Sequence, residues 1–255
     1  MRRIVLKVGS AVLTQDGEIA HTRMGNLVEF ISILKNKYEV ILVSSGAVAA
    51  GYSLLSLDKK VVANKQALAA LGQPLLLYKY SNEFDKYNIL CSQVLLEASI
   101  FEDEKRLKHA QNAIEVMLEN NIVPIINEND VTATEELVFG DNDQLSAYVS
   151  NYFGSDLLVI LTDIDGFYDK NPHEFEDAVL LKNVFEIDPL QLEEKQSANT
   201  EFATGGIVTK LKAANFLLLN QKKMFLSSGF NLLDVKNFLL NDKHTSGTLF
   251  STKEI

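Results

Sequence analysis

Short apolar runs rich in Val and Ile alternate along this chain with longer stretches of helical period, the pattern of βαβ units that build a mainly parallel sheet. The runs predict strands at residues 4–8, 40–43, 89–94, 122–126, 157–161 and 224–226, most of them ending in Gly, Ser, Asn, Thr or Asp. Between the first two, Met24, Leu27, Val28, Ile31 and Leu34 form a helical stripe, with Lys35 and Lys37 near its C-terminus, where the helix dipole favours cations. Equivalent stripes run through Leu107, Ala110, Ile114, Met117 and Leu118, and through Val208, Leu211, Ala214 and Leu218. Leu68, Leu71 and Leu75 to Leu77 predict a further helix, with Gly72 and Pro74 as points where it bends. Residues 131–140 and 163–178 read as irregular loops. No linker, low-complexity tract or internal repeat divides the chain, which predicts one α/β domain of two lobes.

Charge narrows the function. Among 255 residues, 24 Lys+Arg stand against 34 Asp+Glu, a net charge of -10 and the wrong sign for a protein that neutralises a phosphodiester backbone. An acidic protein that handles small phosphorylated ligands must instead place a few lysines at chosen positions. The single cysteine, Cys91, excludes an intrachain disulfide and a cysteine-based zinc site and fits a reducing cytoplasm. Lys7 interrupts the apolar stretch that follows Arg2-Arg3, which argues against a signal peptide, and no uncharged apolar run is long enough to predict a membrane span.

In open parallel sheets, ligands collect beyond the carboxyl ends of the strands. There this chain carries Lys7-Val8-Gly9-Ser10, Ser44-Ser45-Gly46-Ala47, Asn127-Glu128-Asn129-Asp130 and Thr162-Asp163. Lys7 reads either as a snorkelling strand-end cation or as an ammonium held against a transferring phosphoryl group, with the Gly9 N–H aimed at the same oxygens. Ser44-Ser45-Gly46 reads either as a helix cap or as an anion site on the N–H groups of the following helix. Residues 46–51 resemble the start of a Walker A loop, but Tyr52-Ser53 replaces its Lys-[Ser/Thr], which rejects a P-loop; the G-x-G-x-x-G of dinucleotide sites and protein kinases does not occur. Asp141 and Gln144 have capping-box spacing, while Asn142 and Asp143 exceed what a cap needs: a carboxylate between two lysines would hold both in position. Thr204-Gly205-Gly206-Ile207-Val208-Thr209-Lys210 opens a helix with a double glycine and sets a lysine on its first turns, the layout of a phosphate-binding nest. A glycine-rich loop with an exposed lysine is the plainer reading of that segment.

In this order, these segments resemble the amino acid kinase family, and the resemblance runs over residues 4–250. The I-N-E-N-D and G-D-N-D segments point within that family to members acting on glutamate; the lysine-glycine start and the glycine-rich lysine helix are shared more widely. The resemblance implies a three-layer αβα sandwich around a mainly parallel central sheet. It also implies transfer of the ATP γ-phosphoryl group to the side-chain carboxylate of L-glutamate, giving glutamyl 5-phosphate for proline synthesis. Carried over residue by residue, Lys7 and Lys210 stabilise the transferring group and Asp143 organises them. Ser45, Gly46, Asn127, Asp130 and Asn142 bind glutamate. Lys7, Gly9, Thr162, Asp163 and Thr204, Gly205, Gly206, Ile207, Val208, Thr209 and Lys210 hold ATP, with Mg²⁺ carried on the nucleotide.

Residues 1–153 would form the glutamate-binding lobe and 154–255 the ATP-binding lobe. The resemblance further implies a homo-oligomer, dimer or tetramer, and a glutamyl phosphate reductase to receive the labile product, with no nucleic acid or membrane partner and no protein-bound metal. Many family members continue into an RNA-binding-like C-terminal domain, and no such accessory domain is expected here. None of His21, His109, His173 and His244 falls in the motifs, and all read as surface residues. A carboxylate acceptor is already a nucleophile at neutral pH and asks for no general base. Kinases of the same family acting on acetylglutamate, aspartate or UMP, and a non-catalytic amino-acid sensor on the same fold, are the rival readings.

Overall fold

A computed structural model describes residues 2–132, 142–172, 174–193 and 206–252. The strands are β1 (Arg2–Val8), β2 (Thr14–Gln15), β3 (Glu18–Ile19), β4 (Tyr38–Ser44), β5 (Cys91–Leu96), β6 (Val123–Glu128), β7 (Leu157–Thr162), β8 (Asn183–Val184), β9 (Lys223–Ser228) and β10 (Thr248–Phe250). The helices are α1 (Ser10–Leu13), α2 (His21–Leu34), α3 (Ala47–Tyr52), α4 (Val62–Asp85), α5 (Glu104–Glu119), α6 (Asn142–Tyr152), α7 (Pro189–Glu193), α8 (Ile207–Leu219) and α9 (Leu233–Asn241).

Eight strands form one sheet in the order β5-β6-β4-β1-β7-β9-β10-β8. Every pairing in it is parallel except β9 with β10. From β1 the chain builds outward through β4 and later through β7, so the order reverses beside β1. That reversal is where a parallel sheet opens a crevice at its carboxyl ends. Lys7 sits there, paired in register with Val43 of β4 and Ile160 of β7.

The alternation of β1 sorts its side chains between two cores. Ile4, Leu6 and Val8 join the core under α2, α4 and α9, while Val5 faces the core under α5, α6 and α8. Helices thus cover both faces of a sheet whose central strands are buried on both sides, the three-layer arrangement expected above.

All six expected strands form, shifted or extended by one or two residues, and the four helical stripes form α2, α4, α5 and α8. Gly72 and Pro74, expected as points of bending, do not interrupt α4, which is one continuous helix through both. Gly72 has a packing role instead. A Cβ there would lie 1.9 Å from the Ala47 carbonyl oxygen, and one on Gly51 would lie 1.9 Å from that of Leu68, so the two glycines let α3 and α4 cross at backbone contact. The same placement explains the Walker-like glycine at position 51, which packs a helix and leaves no phosphate loop. His244 departs from the surface reading: it is half-buried, its ring edge-on to Phe225 and Phe238. His173 lies outside the described residues.

Candidate active site

Three charged side chains converge at the carboxyl end of β1. Lys7 is 2% exposed, Lys210 in α8 3%, and Asp143 in the first turn of α6 is fully buried. Asp143 Oδ1 accepts from Lys7 Nζ at 2.5 Å, and Oδ2 accepts from Lys210 Nζ at 3.2 Å and from Thr209 Oγ1 at 3.0 Å. The sheet alternation aims Lys7 at the face that α6 and α8 cover, and those helices pack on each other, so each lysine arrives from a different element. Buried ammonium groups are stable only when paired and hydrogen-bonded. The shared carboxylate fixes two ammonium groups at the crevice, an arrangement that suits a polyphosphate or a developing oxyanion.

Next to this trio lies a polar relay. Asn142, the residue before Asp143, donates through Nδ2 to Asn127 Oδ1 (2.9 Å), Ser45 Oγ (2.9 Å) and the Ser44 carbonyl (3.3 Å). Asn127 donates in turn to Gln73 Oε1 of α4 at 2.8 Å. Ser44 Oγ meets Tyr80 Oη at 2.8 Å behind the site, and burial pushes the Tyr80 phenol upward against the opposing effect of that bond. Gly46 turns the chain from β4 into α3 with φ of 109°, which a side chain would resist, and its N–H has no acceptor among the described residues. Ser45, Gly46, Asn127 and Asn142, expected to bind the acceptor, are therefore one connected patch.

Asp130 has no hydrogen bond to that patch among the described residues. Burial raises its carboxyl above the ordinary range, and the positive charge of Lys65 works against the rise. The loop around it is tied to α4 by a bond from Gln66 Nε2 to the Val131 carbonyl at 3.3 Å. Glu97 also holds that loop, accepting from Asn129 Nδ2 (3.3 Å) and from Thr132 Oγ1.

On the other side, Thr162 ends β7 and donates to Asp163 Oδ1 at 2.8 Å, while its carbonyl accepts from the Gly229 N–H at 2.7 Å. Gly206 caps α8, followed by Ile207, Val208, Thr209 and Lys210. Thr204 and Gly205, like Asp141, lie outside the described residues. The role expected for the Gly9 N–H is corrected: it donates to the Leu161 carbonyl at 3.0 Å, closing the turn after β1, and so does not point at an anion. Among the described residues no three His, Cys, Asp or Glu side chains group so as to hold a metal ion. Gln73, Tyr80 and Lys65 are additions to the site, and Thr209, expected to hold ATP, also bonds Asp143. Gln73 was visible as the one amide in the apolar run from Ala67 to Tyr78.

The model for the amino acid kinase family matches residues 2–226. The chain is 55% identical over 255 residues to glutamate 5-kinase of Wolinella succinogenes, covering 98% of each chain. It is 53% identical over 253 residues to glutamate 5-kinase of Leishmania donovani, covering 99% of this chain and 96% of that one. Among solved structures, carbamate kinase from Giardia lamblia bound to AMP-PNP superposes with a TM-score of 0.67 at 18% identity over 99% of both chains. UMP kinase from Ureaplasma parvum superposes with a TM-score of 0.66 at 18% identity over 98% of both. At such identities these two likenesses speak for the fold.

Proposed function

The chain belongs to the amino acid kinase family, and from that premise we infer that it phosphorylates the side-chain carboxylate of L-glutamate with ATP, giving L-glutamyl 5-phosphate and ADP as the first step of proline biosynthesis. The observation that carries the mechanism is the bridging of Lys7 and Lys210 by Asp143. A carboxylate oxygen of glutamate attacks the γ-phosphorus as the bond to the β,γ-bridging oxygen breaks, and the electron pair leaves on ADP. Neither step needs a proton from the protein, so catalysis rests on alignment and on cations placed where charge develops.

In this reading Lys7 and Lys210 face the transferring group, and Asp143 prevents either ammonium from swinging away. Ser45, Gly46, Asn127, Asn142 and Asp130 take the amino acid, with Asp130 supplying negative charge for its ammonium. Thr162, Asp163 and the start of α8 take the nucleotide, and Mg²⁺ arrives on ATP, held by phosphate oxygens and water. The patch between β4 and β6 supports a glutamate lobe at 1–153, and the β7 and α8 ends support a nucleotide lobe at 154–255. Leu71 and Tyr78, 40% and 64% exposed on the outer face of α4, support a homo-oligomer. A labile acyl phosphate made in the cytoplasm favours prompt transfer to a glutamyl phosphate reductase.

The test is incubation with Mg-ATP and hydroxylamine against glutamate, N-acetylglutamate, aspartate and UMP. Hydroxamate from glutamate alone is the expected result. Hydroxamate from another acid, or ADP release with UMP only, overturns the reading.

A further inference from the structure

Gln73 lies in the middle of α4, 7% exposed, and its hydrogen bond goes to Asn127. It reaches the carboxyl end of the sheet because Gly72 lets α4 close onto the backbone of α3. Its bonding order can be deduced from a group that is able only to donate. The backbone N–H of Glu128 gives its hydrogen to the Asn127 side chain at 2.9 Å, so that atom of Asn127 is Oδ1. The other atom is then Nδ2, which donates to Gln73, and Gln73 must present Oε1 to it.

The same Asn127 Oδ1 accepts from Asn142 Nδ2. That nitrogen also has Ser45 Oγ and the Ser44 carbonyl as acceptors, so its two hydrogens are spent. Asn142 Oδ1 makes no hydrogen bond among the described residues and remains as an acceptor. Reversing the Asn127 amide would set its NH₂ against the Glu128 N–H and the Asn142 NH₂, two donor–donor contacts. Gln73 Oε1 is the acceptor that satisfies the Asn127 NH₂ in the observed orientation.

We propose that Gln73 is a positioning residue for the amino-acid acceptor: by fixing the Asn127 amide it holds Asn142 with Oδ1 free for the substrate's ammonium. The proposal rests on glutamate being the acceptor, and it extends that reading to a side chain that does not meet the substrate. Replacing Gln73 by methionine keeps the length of the side chain and removes the acceptor, leaving the Asn127 NH₂ without a partner.

In Gln73→Met, KM for glutamate should rise about tenfold, the equivalent of one neutral hydrogen bond, with KM for ATP and kcat within about twofold of the parent. Combined with Asn142→Ala, its effect on KM should largely disappear, because the relay it supports is already gone. Equal rises in both KM values, additive effects in the double variant, or an unchanged KM for glutamate would overturn the proposal.

A second readout is independent of the acceptor. The side-chain NH₂ signals of Asn127 and Asn142 should be protected from solvent exchange in the parent and in Gln73→Glu, which keeps an acceptor, and lose protection in Gln73→Met. Protection kept in both variants, or lost in both, contradicts the relay. Gln73→Leu replaces the methionine variant if that one does not fold. A parent protein inactive with glutamate would refute the function proposed above, and the exchange data would still decide the role of Gln73.

Discussion

Replacing Asp143 with asparagine keeps the shape of the side chain and removes its charge, leaving Lys7 and Lys210 buried against a neutral amide. Breaking a buried ion pair by deleting one partner costs about 3–5 kcal/mol, because the surviving charge is stranded away from water. For a domain of this size each kcal/mol moves Tm by about 2–4 °C, so the variant should melt roughly 6–20 °C below the parent. Burial, and not distance, sets that magnitude. Lys170 and Asp177 approach as closely, at 2.6 Å, but Asp177 is 80% exposed, and exposed pairs contribute only about 0–1 kcal/mol. Thermal denaturation of Asp143→Asn and Asp177→Asn in parallel, at one scan rate and without ligand, isolates the difference. Because the asparagine variant carries an extra buried positive charge, Mg-ATP should raise its Tm by more than it raises that of the parent. If Asp143→Asn melts within about 1 °C of the parent, or no lower than Asp177→Asn, the carboxylate does not compensate two buried ammonium groups and the electrostatic reasoning fails.

Gly72→Ala should lower Tm despite the better helix propensity of alanine, since its Cβ would sit 1.9 Å from the Ala47 oxygen and overpacking of this kind costs about 1–3 kcal/mol; an unchanged Tm would contradict the α3–α4 contact. Asp130→Asn carries a sign that depends on pH. Burial raises the folded pKa of Asp130, so its contribution to stability is present at acid pH and is lost as pH rises through the raised value. The variant should accordingly melt higher than the parent near neutral pH but not at acid pH, while KM for glutamate rises far more than KM for ATP. A lower Tm at neutral pH, or equal KM changes, would assign Asp130 a structural role.

Much of the sheet was legible in the sequence because its central strands are buried on both faces and appear as unbroken apolar runs. The small strands were not, for a different reason in each case. β8 and β10 are two and three residues long, too short for any period, and depend on neighbours distant in sequence. The β2–β3 hairpin did carry a local signal in Asp16-Gly17, both with positive φ, the pair that a tight hairpin turn favours. At the site, the strand-end motifs located Lys7, Ser45 and Asn127, and the surplus acid of Asn142-Asp143 foretold the bridge between lysines. Backbone hydrogen bonds cannot be read from composition, so Gly9 was assigned an anion that its bond to Leu161 precludes. Gln73 stood out as a lone amide in an apolar run, but its role was not legible because its partner Asn127 is 54 positions away and meets it where α3 and α4 cross closely at Gly51 and Gly72.

The central claim is that Lys7 and Lys210 act on the transferring phosphoryl group, and turnover by Lys7→Ala and Lys210→Ala tests it most directly. Each ammonium should interact more strongly with the transition state than with bound substrates, so its loss should fall on kcat. A preorganised donor of this kind is worth about 2.7–4 kcal/mol, on the order of 10²- to 10³-fold in rate. Both variants, shown to be folded by thermal denaturation and to bind glutamate by calorimetry, should therefore lose at least about a hundredfold in kcat for glutamate-dependent hydroxamate formation. Turnover near that of the parent in either folded variant would contradict the account and leave that lysine a structural role beside Asp143.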